Sequence, residues 1–199
     1  MMPCRRYDDA GQAFPIYITV VAGLLFLAFA YLAVGQAAAT RNEAQTAADA
    51  AALAAAIDTR DQLAGQWLED VLDPTLWQDI FDGNADVLDP CWRADQLAAQ
   101  NDAHVEACEP HGLLGYSVEV ETDEPVGDTI VPGTEGTYAR ANAIAVIEPR
   151  CTFDLPGDDA GEGSLPSLTC KDKNWDLDPD DLVDLPGPED LFDVHLADQ

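Results

Sequence analysis

The feature that most constrains the fold is an uncharged apolar run at residues 14–34, FPIYITVVAGLLFLAFAYLAV. As a helix rising about 1.5 Å per residue, this run would span roughly 32 Å, close to the thickness of the hydrocarbon layer of a bilayer. Tyr17 and Tyr31 lie near its two ends, where aromatic side chains favour the membrane interface. The run therefore predicts a transmembrane helix in contact with the lipid bilayer.

The short segment before the run, residues 1–13, contains Arg5 and Arg6. The positive-inside tendency predicts that this end stays in the cytoplasm, so the rest of the chain would lie outside a single-pass cell-membrane protein. The alternative is a signal peptide that is cleaved near Gly35-Gln36-Ala37.

Residues 35–60 predict a direct continuation of the helix outside the membrane. Twelve alanines occur between positions 37 and 56, and there is no proline. Alanine is the best helix former. Some of these alanines form a stripe at helical spacing, and they are Ala48, Ala51, Ala52, Ala55 and Ala56. The stripe predicts packing against a sheet of the same chain or against a partner helix, and a solvated stalk is the alternative.

Beyond residue 60 the patterns predict a small α+β domain with short helices and an antiparallel sheet. Residues 61–72 have apolar side chains at helical spacing, and Asp89-Pro90 resembles the start of a helix that ends near residue 100. The candidate strands are 104–108, 114–122 and 138–148. We assign the domain to residues 61–153, an irregular acidic loop to 154–190 and a closing edge strand to 191–199. A disordered acidic tail is the alternative.

Four cysteines follow the apolar run, namely Cys91, Cys108, Cys151 and Cys170. If the helix that starts at residue 90 ends near 100, a strand running back covers a similar distance and returns Cys108 to Cys91. This geometry favours a Cys91–Cys108 disulfide and leaves Cys151–Cys170 as the second bridge. The four cysteines lack the C-x-x-C spacing typical of zinc sites, and an extracellular location favours disulfides.

The formal charge of −29 is concentrated in the second part of the chain. Residues 1–56 contain three arginines and four carboxylates, which leaves −28 beyond residue 56. Such an acidic surface repels phosphate backbones and excludes nucleic acid as a partner. It is suited to a basic partner or to a weakly bound cation.

No set of residues predicts a catalytic site, a metal site or a cofactor. The histidines His104, His111 and His195 have no metal-binding spacing in the sequence, and no one pair stands out among the many carboxylates. The run 176–181, DLDPDD, resembles the start of a calcium loop but lacks its glycine and its final glutamate. The sequence therefore predicts that the protein is not an enzyme, with loose calcium binding as a hypothesis.

The segment from Gly11 to Ala56 resembles the N-terminal segment of the TadE/TadG-like proteins of tight-adherence (Flp-type) pilus systems. The resemblance lies in the Gly11-Gln12 start, the apolar span and the alanine-rich run at 45–54. The helix-turn-strand with its two cysteines and the strand end at Arg150-Cys151 are similar to actinobacterial members. The resemblance implies a pilin-like fold and a place in the cell envelope, beside a secretion ATPase and a membrane platform protein.

Family members of this kind are typically cleaved after a glycine, with a glutamate five residues beyond the cut. Gly11 and Gln12 are the candidate processing site, but Ile16 occupies the position of the glutamate and Pro15 precedes it. An unpaired N-terminal amine among apolar helices would be costly, so the substitution favours an uncleaved anchor.

These observations lead to two hypotheses about function. The first is a non-enzymatic, minor pilin-like or assembly component of a tight-adherence pilus or related secretion apparatus, with other pilin-like or Tad apparatus membrane proteins as partners. The alternative is a membrane-tethered extracellular binding module for a basic partner or a cation.

Overall fold

A computed structural model describes residues 13–125, 136–155 and 164–197 of the chain. The elements, in chain order, are α1 (Ala13–Glu69), α2 (Trp77–Phe81), α3 (Cys91–Ala99), β1 (Ala103–Pro110), β2 (Gly115–Pro125), β3 (Tyr138–Pro149), β4 (Cys151–Thr152), β5 (Leu168–Cys170), β6 (Asn174–Trp175), α4 (Pro188–Leu191) and β7 (Phe192–Leu196). The predicted α+β class is therefore confirmed: a long N-terminal apolar helix is followed by a disulfide-bonded domain with an antiparallel sheet.

Helix α1 runs without a break for 57 residues. The sequence predicts a helix that ends near residue 60 and a separate helix over 61–72, and this division is wrong because one helix covers both segments. Residues 58–60, Asp-Thr-Arg, contain neither proline nor glycine, and Thr59 is buried in the domain. Helix α1 ends at Glu69, and a turn over residues 70–72 leads to Asp73-Pro74, where the ring of the proline prevents further helix.

The second half of α1 lies at the centre of the domain rather than beside it. It contacts β2 and β3 on one side and α3 on another. Because alanine has a side chain of one carbon, the sheet and α3 can both come close to the backbone of α1. The domain therefore begins within the alanine-rich part of the helix, not at residue 61 as the sequence predicts.

The main sheet has four antiparallel strands in the order β1-β2-β3-β7. Its strands alternate between the two faces, as the sequence predicts for β2: Tyr116, Val118 and Val120 are buried against the helices. Strand β7 pairs with β3 through Ile147 and Val194 and forms one edge of the sheet. The predicted closing edge strand is thus present, although Leu191 belongs to α4 rather than to the strand.

The connection from α3 to β1 is a tight turn. Asp89 Oδ1 accepts a hydrogen bond of 2.9 Å from the Cys91 N–H, which supports the start of α3. At the other end Asp102 has φ of 54°, the left-handed conformation that asparagine and aspartate tolerate best. The turn sends β1 back along α3, so that Cys108 meets Cys91 in a disulfide.

The second sheet is small and contains β4, β5 and β6. Cys151 and Cys170 face each other in the β4–β5 register and form the second disulfide. The described residues of the predicted irregular loop, 154–155 and 164–190, contain three short elements, β5, β6 and the start of α4, within otherwise irregular chain. The disulfide fixes β5 beside β4, and the burial of Leu168 and Trp175 offsets the entropy of ordering this acidic segment.

An aromatic cluster joins the end of α1 to the rest of the domain. The ring centroids of Trp67 and Trp77 are 5.3 Å apart, and Phe153 lies 5.2 Å from Trp77. Phe81 contacts both Phe153 and Phe192, which connects α2 with β7. Because aromatic rings bury large areas, this cluster is a main source of stability at the end of the domain farthest from the apolar segment.

Candidate functional site

The apolar segment of α1 has the exposure expected of a membrane-spanning helix. It is long and apolar enough to cross a bilayer, and the most apolar part of the helix has no residue buried in the protein. Phe14, Phe26 and Tyr31 are 70%, 71% and 83% exposed. Leaving so much aromatic and aliphatic surface in water is unfavourable by roughly 25 cal/mol per Å², whereas a bilayer removes this cost. The chain therefore has one candidate membrane-spanning helix, at the N-terminal end of the residues described.

The predicted helix-packing face lies inside the domain. Its five members, Ala48, Ala51, Ala52, Ala55 and Ala56, are all fully buried. The same face extends one turn towards the membrane through Ala44 and Ala47, which are also fully buried and which the sequence reasoning did not include. Their helical spacing from Ala48 and Ala51 is the signal that identifies them. The partner of this face within the chain is its own sheet together with α3.

The candidate processing site, Gly11 and Gln12, lies outside the described residues. The first described residues of α1 include Pro15, whose carbonyl accepts a hydrogen bond of 2.8 Å from the Thr19 hydroxyl. The exposed fraction of Ile16, the residue at the position of the family glutamate, is 66%. A side chain at this position is therefore free of contacts with the domain.

The two disulfides join the same cysteines that the sequence pairs, Cys91 with Cys108 and Cys151 with Cys170. They close segments with sequence separations of 17 and 19 residues. For loops of this length, each bridge is expected to stabilise the folded domain by about 3 kcal/mol, because it restricts the conformations of the unfolded chain. The first bridge ties α3 to β1 of the main sheet, and the second ties β4 to β5 of the small sheet.

The outer face of the main sheet, turned away from α1, holds a cluster of charged side chains around His104. The Nδ1–H of His104 donates a hydrogen bond of 2.8 Å to Asp123 Oδ1. The Nε2 atom lies 3.1 Å from Glu106 Oε1 and 3.9 Å from Glu121 Oε1. The hydrogen bond with Asp123, followed by the one with Glu106, raises the pKa of the imidazole, and slight burial opposes the increase.

Arg140 completes this cluster from the neighbouring strand. His104 pairs with Glu121 across β1 and β2, and Glu121 pairs with Arg140 across β2 and β3, so the three side chains form one row. Arg140 Nε donates a hydrogen bond of 2.6 Å to Glu121 Oε2, and Arg140 Nη2 lies 3.9 Å from Glu106 Oε2. The hydrogen bond with Glu121 raises the pKa of the Arg140 guanidinium. Sequence spacing could not reveal this cluster because its members come from three strands.

The acidic run 176–181 forms a turn. Asp178 Oδ1 accepts a hydrogen bond of 2.9 Å from the Asp180 N–H, and the Asp178 carbonyl accepts one of 3.1 Å from the Asp181 N–H. The Asp178 carboxylate is thus engaged by the backbone of its own turn. The one group of possible metal ligands among the described residues is the set around His104, which does not include this run.

Several basic side chains of the domain are already paired with carboxylates. Arg60 contacts Asp61 at 2.7 Å, Arg150 contacts Asp172, and Lys173 lies 3.9 Å from Asp184. Exposed pairs of this kind contribute about 0 to 1 kcal/mol each, so their main effect is to neutralise the few positive charges. The surface that remains is strongly negative.

A helix that serves as both the candidate membrane span and the central core helix of a disulfide-bonded α+β domain defines a class of membrane-anchored proteins. The N-terminal part of the chain is similar to one family: residues 11–58 match the model of the putative Flp pilus-assembly TadE/G-like family. The matched segment is about a quarter of the chain, and it confirms the resemblance seen in the sequence. The family is one of pilus assembly.

The remaining residues, which include the sheet and both disulfides, lie outside the family match. No curated protein and no solved structure is significantly similar to the chain.

Proposed function

We propose that this protein is a non-enzymatic, membrane-anchored assembly component of a tight-adherence pilus or related secretion apparatus. The observation that carries the proposal is that most of the family match, the candidate membrane span and a buried alanine face of the domain core lie on one helix, α1. The match supports involvement in pilus assembly, and the shared helix supports a role in which the membrane segment and the domain act together.

We further propose that residues 1–13 lie in the cytoplasm and that the domain lies outside the membrane. Arg5 and Arg6 support this orientation through the positive-inside tendency. The two disulfides support it independently, because such bonds persist in oxidising compartments. The acidic surface is also suited to an exposed location.

Two roles within the apparatus differ in what happens at Gly11. A filament subunit would be cleaved and would begin at Gln12, whereas a fixed anchor would keep residues 1–11. We favour the fixed anchor because Ile16 cannot supply the carboxylate that would compensate a new N-terminal amine in an apolar environment. The partners in either role are other pilin-like or Tad apparatus membrane proteins.

The first experiment is deletion of the gene, with pilus assembly and surface adhesion as readouts. We expect both to be lost and to return when the full chain is supplied again. Normal pili on the deletion strain would overturn the proposed function. The intact mass of the protein from its native membrane then separates the two roles: a full-length mass supports the anchor, and a chain that begins at Gln12 contradicts it.

A second candidate function is a surface module that binds a basic partner, with α1 as a mere tether. The observation that favours it is the strongly negative surface, on which the few basic side chains are mostly paired. Replacing residues 14–34 by an unrelated apolar span of equal length distinguishes the two functions. If α1 is only a tether, the protein should keep its function after this exchange. If the span must contact other membrane helices, pilus assembly should be lost.

The exchange requires a control for folding, since α1 also forms the core of the domain. The control is resistance of the disulfide-bonded domain to protease, measured in the same membranes. Any soluble fragment for binding studies should begin before Ala44. A fragment from residue 58 would remove the buried alanines and expose the inner face of the sheet.

A further inference from the structure

We propose that His104, Glu106 and Glu121 form a binding site for a divalent transition-metal ion, with zinc as the probe. The inference is independent of the proposed role in pilus assembly. It starts from the convergence of three potential ligand atoms, one imidazole nitrogen and two carboxylate oxygens, that all lie within 4.8 Å of one another. Nitrogen and oxygen ligands of this kind are those that zinc accepts in proteins.

The distances between these atoms fit a small metal ion. Bond lengths of about 2.0 to 2.2 Å place neighbouring ligand atoms of a tetrahedral zinc ion roughly 3.3 to 3.6 Å apart. The separation of His104 Nε2 is 3.1 Å from Glu106 Oε1 and 3.9 Å from Glu121 Oε1. The observed separations lie on both sides of the required range, so changes of about half an ångström in side-chain position are sufficient.

Each ligand also has an outer partner that directs the correct atom towards the ion. Asp123 accepts the Nδ1–H of His104, which leaves Nε2 as the metal-binding nitrogen. Arg140 approaches the Oε2 atoms of Glu121 and Glu106, which leaves both Oε1 atoms facing His104. A metal-binding histidine that donates its other ring N–H to a carboxylate is the usual arrangement in metalloproteins.

The backbone explains how Glu106 joins this set. His104 and Glu121 are direct partners in the β1–β2 register, but the register shifts between Val105 and Ala107, so Glu106 is the extra residue of a β-bulge. A bulge re-aims the side chain of the extra residue, and here it directs Glu106 back to the imidazole. In a regular strand this side chain would lie beyond the row of His104 and Glu121.

The charges around the site favour a dication. Metal binding requires a neutral imidazole at His104. In that state Glu106, Glu121 and Asp123 contribute three negative charges and Arg140 contributes one positive charge, so two negative charges are left to compensate. The site is open to solvent: the side chains of His104 and Glu106 are 49% and 37% exposed. An ion bound there can retain water and accept a further ligand from a partner.

The test measures zinc binding by the full chain in detergent micelles, after complete removal of any histidine tag. Equilibrium dialysis in about 0.15 M salt with excess magnesium screens the surface and occupies weak carboxylate sites. We expect one saturable zinc ion per chain. The absence of a saturable site would overturn the proposal, and equal displacement of zinc by calcium would reduce it to an unspecific acidic surface.

Single substitutions then locate the site. His104→Ala and Glu121→Gln should weaken zinc binding by more than about 100-fold, since loss of a ligand exceeds the roughly 10- to 100-fold effect of losing an outer partner. Asp123→Asn, which affects a positioning residue, should fall within that smaller range. The matched controls are His111→Ala and Glu119→Gln, which should bind zinc as the wild type does.

X-ray absorption at the zinc edge identifies the ligand atoms directly. We expect one imidazole nitrogen and otherwise oxygen ligands, with the imidazole signal absent in His104→Ala. Unchanged binding and an unchanged imidazole signal in that variant would refute the assignment. A thermal unfolding scan without metal verifies that the variants remain folded.

Discussion

Residues 14–34 and residues 44–69 belong to one helix, yet their apolar side chains have opposite surroundings. The first segment contains large residues that touch nothing else in the protein, such as Leu24 and Phe26, which are 62% and 71% exposed. The second contains alanines that are fully buried, together with Leu63 and Trp67 at its end. Large side chains cover the helix where a bilayer is expected, and small ones are used where a sheet and a helix must come close. Thus hydrophobicity alone does not distinguish a candidate span from a core helix, whereas the run of buried alanines marks the part of α1 that the sheet and α3 approach.

The largest expected effect comes from Trp67, at the buried end of α1. Trp67→Ala should lower the free energy of unfolding of the domain by about 3 to 5 kcal/mol, because it leaves a cavity beside Trp77. Urea unfolding of the full chain in micelles, followed by circular dichroism, measures the change.

The matched substitution in the apolar segment is Phe26→Ala, which should leave the unfolding of the domain unchanged. Trp92→Ala, at a tryptophan that is 57% exposed on α3, should also have little effect. An equal loss of stability in Phe26→Ala would break the comparison, since it would mean that the apolar segment packs against the domain.

A charge at the centre of the apolar segment should reduce membrane insertion without changing the stability of the domain. Leu24→Arg should oppose membrane insertion by about 2.5 to 3.5 kcal/mol, the cost of arginine at the centre of a span. We expect less protein in the membrane fraction and an unaltered domain in what remains, as judged by urea unfolding.

The control for this charge is Leu68→Arg, at a residue on α1 that is 50% exposed on the domain. That variant should reach the membrane normally. Normal membrane integration of Leu24→Arg would show that residues 14–34 do not span the bilayer.

The tightness of the alanine packing can be tested by enlarging one side chain. Ala51→Leu places three more carbons where the helix meets the core, and overpacking of this kind typically costs about 1 to 3 kcal/mol. The same substitution at Ala39, which is exposed, should not destabilise the domain. Urea midpoints of the two variants give the comparison directly, and equal midpoints would mean that the alanine face is not closely packed.

The smallest effect is expected at the glycines of α1. Gly65→Ala should raise the free energy of unfolding by about 0.5 to 1 kcal/mol, because glycine is a poor helix former and a new Cβ there meets no atom within 4 Å. Gly23→Ala, equally free of contacts, should leave the stability of the domain unchanged. A lower melting temperature for Gly65→Ala would indicate a close neighbour at that position.

Gly83 provides a contrast with these helical glycines. Its φ is 75°, and a Cβ there would lie 2.7 Å from the Leu114 side chain. Substitution by alanine should therefore destabilise the domain, in contrast to the gain at Gly65.

Local patterns were sufficient to predict several features of the fold. The alternation of Tyr116, Val118 and Val120 identifies a half-buried strand, and the distances from Cys91 to Cys108 along a helix and back along a strand identify their pairing. Each of these inferences depends on residues that are close in sequence or on a single reversal of the chain.

The features that the sequence did not predict depend on contacts between distant segments. Residues 58–60 contain no proline or glycine, but the composition changes there from alanine-rich to mixed, which suggests the end of one helix and the start of another. The structure has one continuous helix instead, because both segments pack into the same core. The order of β5 and β6 depends on the disulfide to Cys151 and on burial of Trp175. The His104 cluster needs a bulge at Glu106 and the registers of three strands, neither of which is visible in residue spacing.

The continuity of α1 has a mechanical consequence. Between the apolar segment and the aromatic cluster at Trp67 the helix contains no proline and runs without interruption. The part of α1 from Val34 to Glu69 is about 52 Å long, and a tilt of about 20° at the membrane displaces its far end sideways by roughly 18 Å. If residues 14–34 span a bilayer, a tilt of the helix there would therefore move the whole sheet with it.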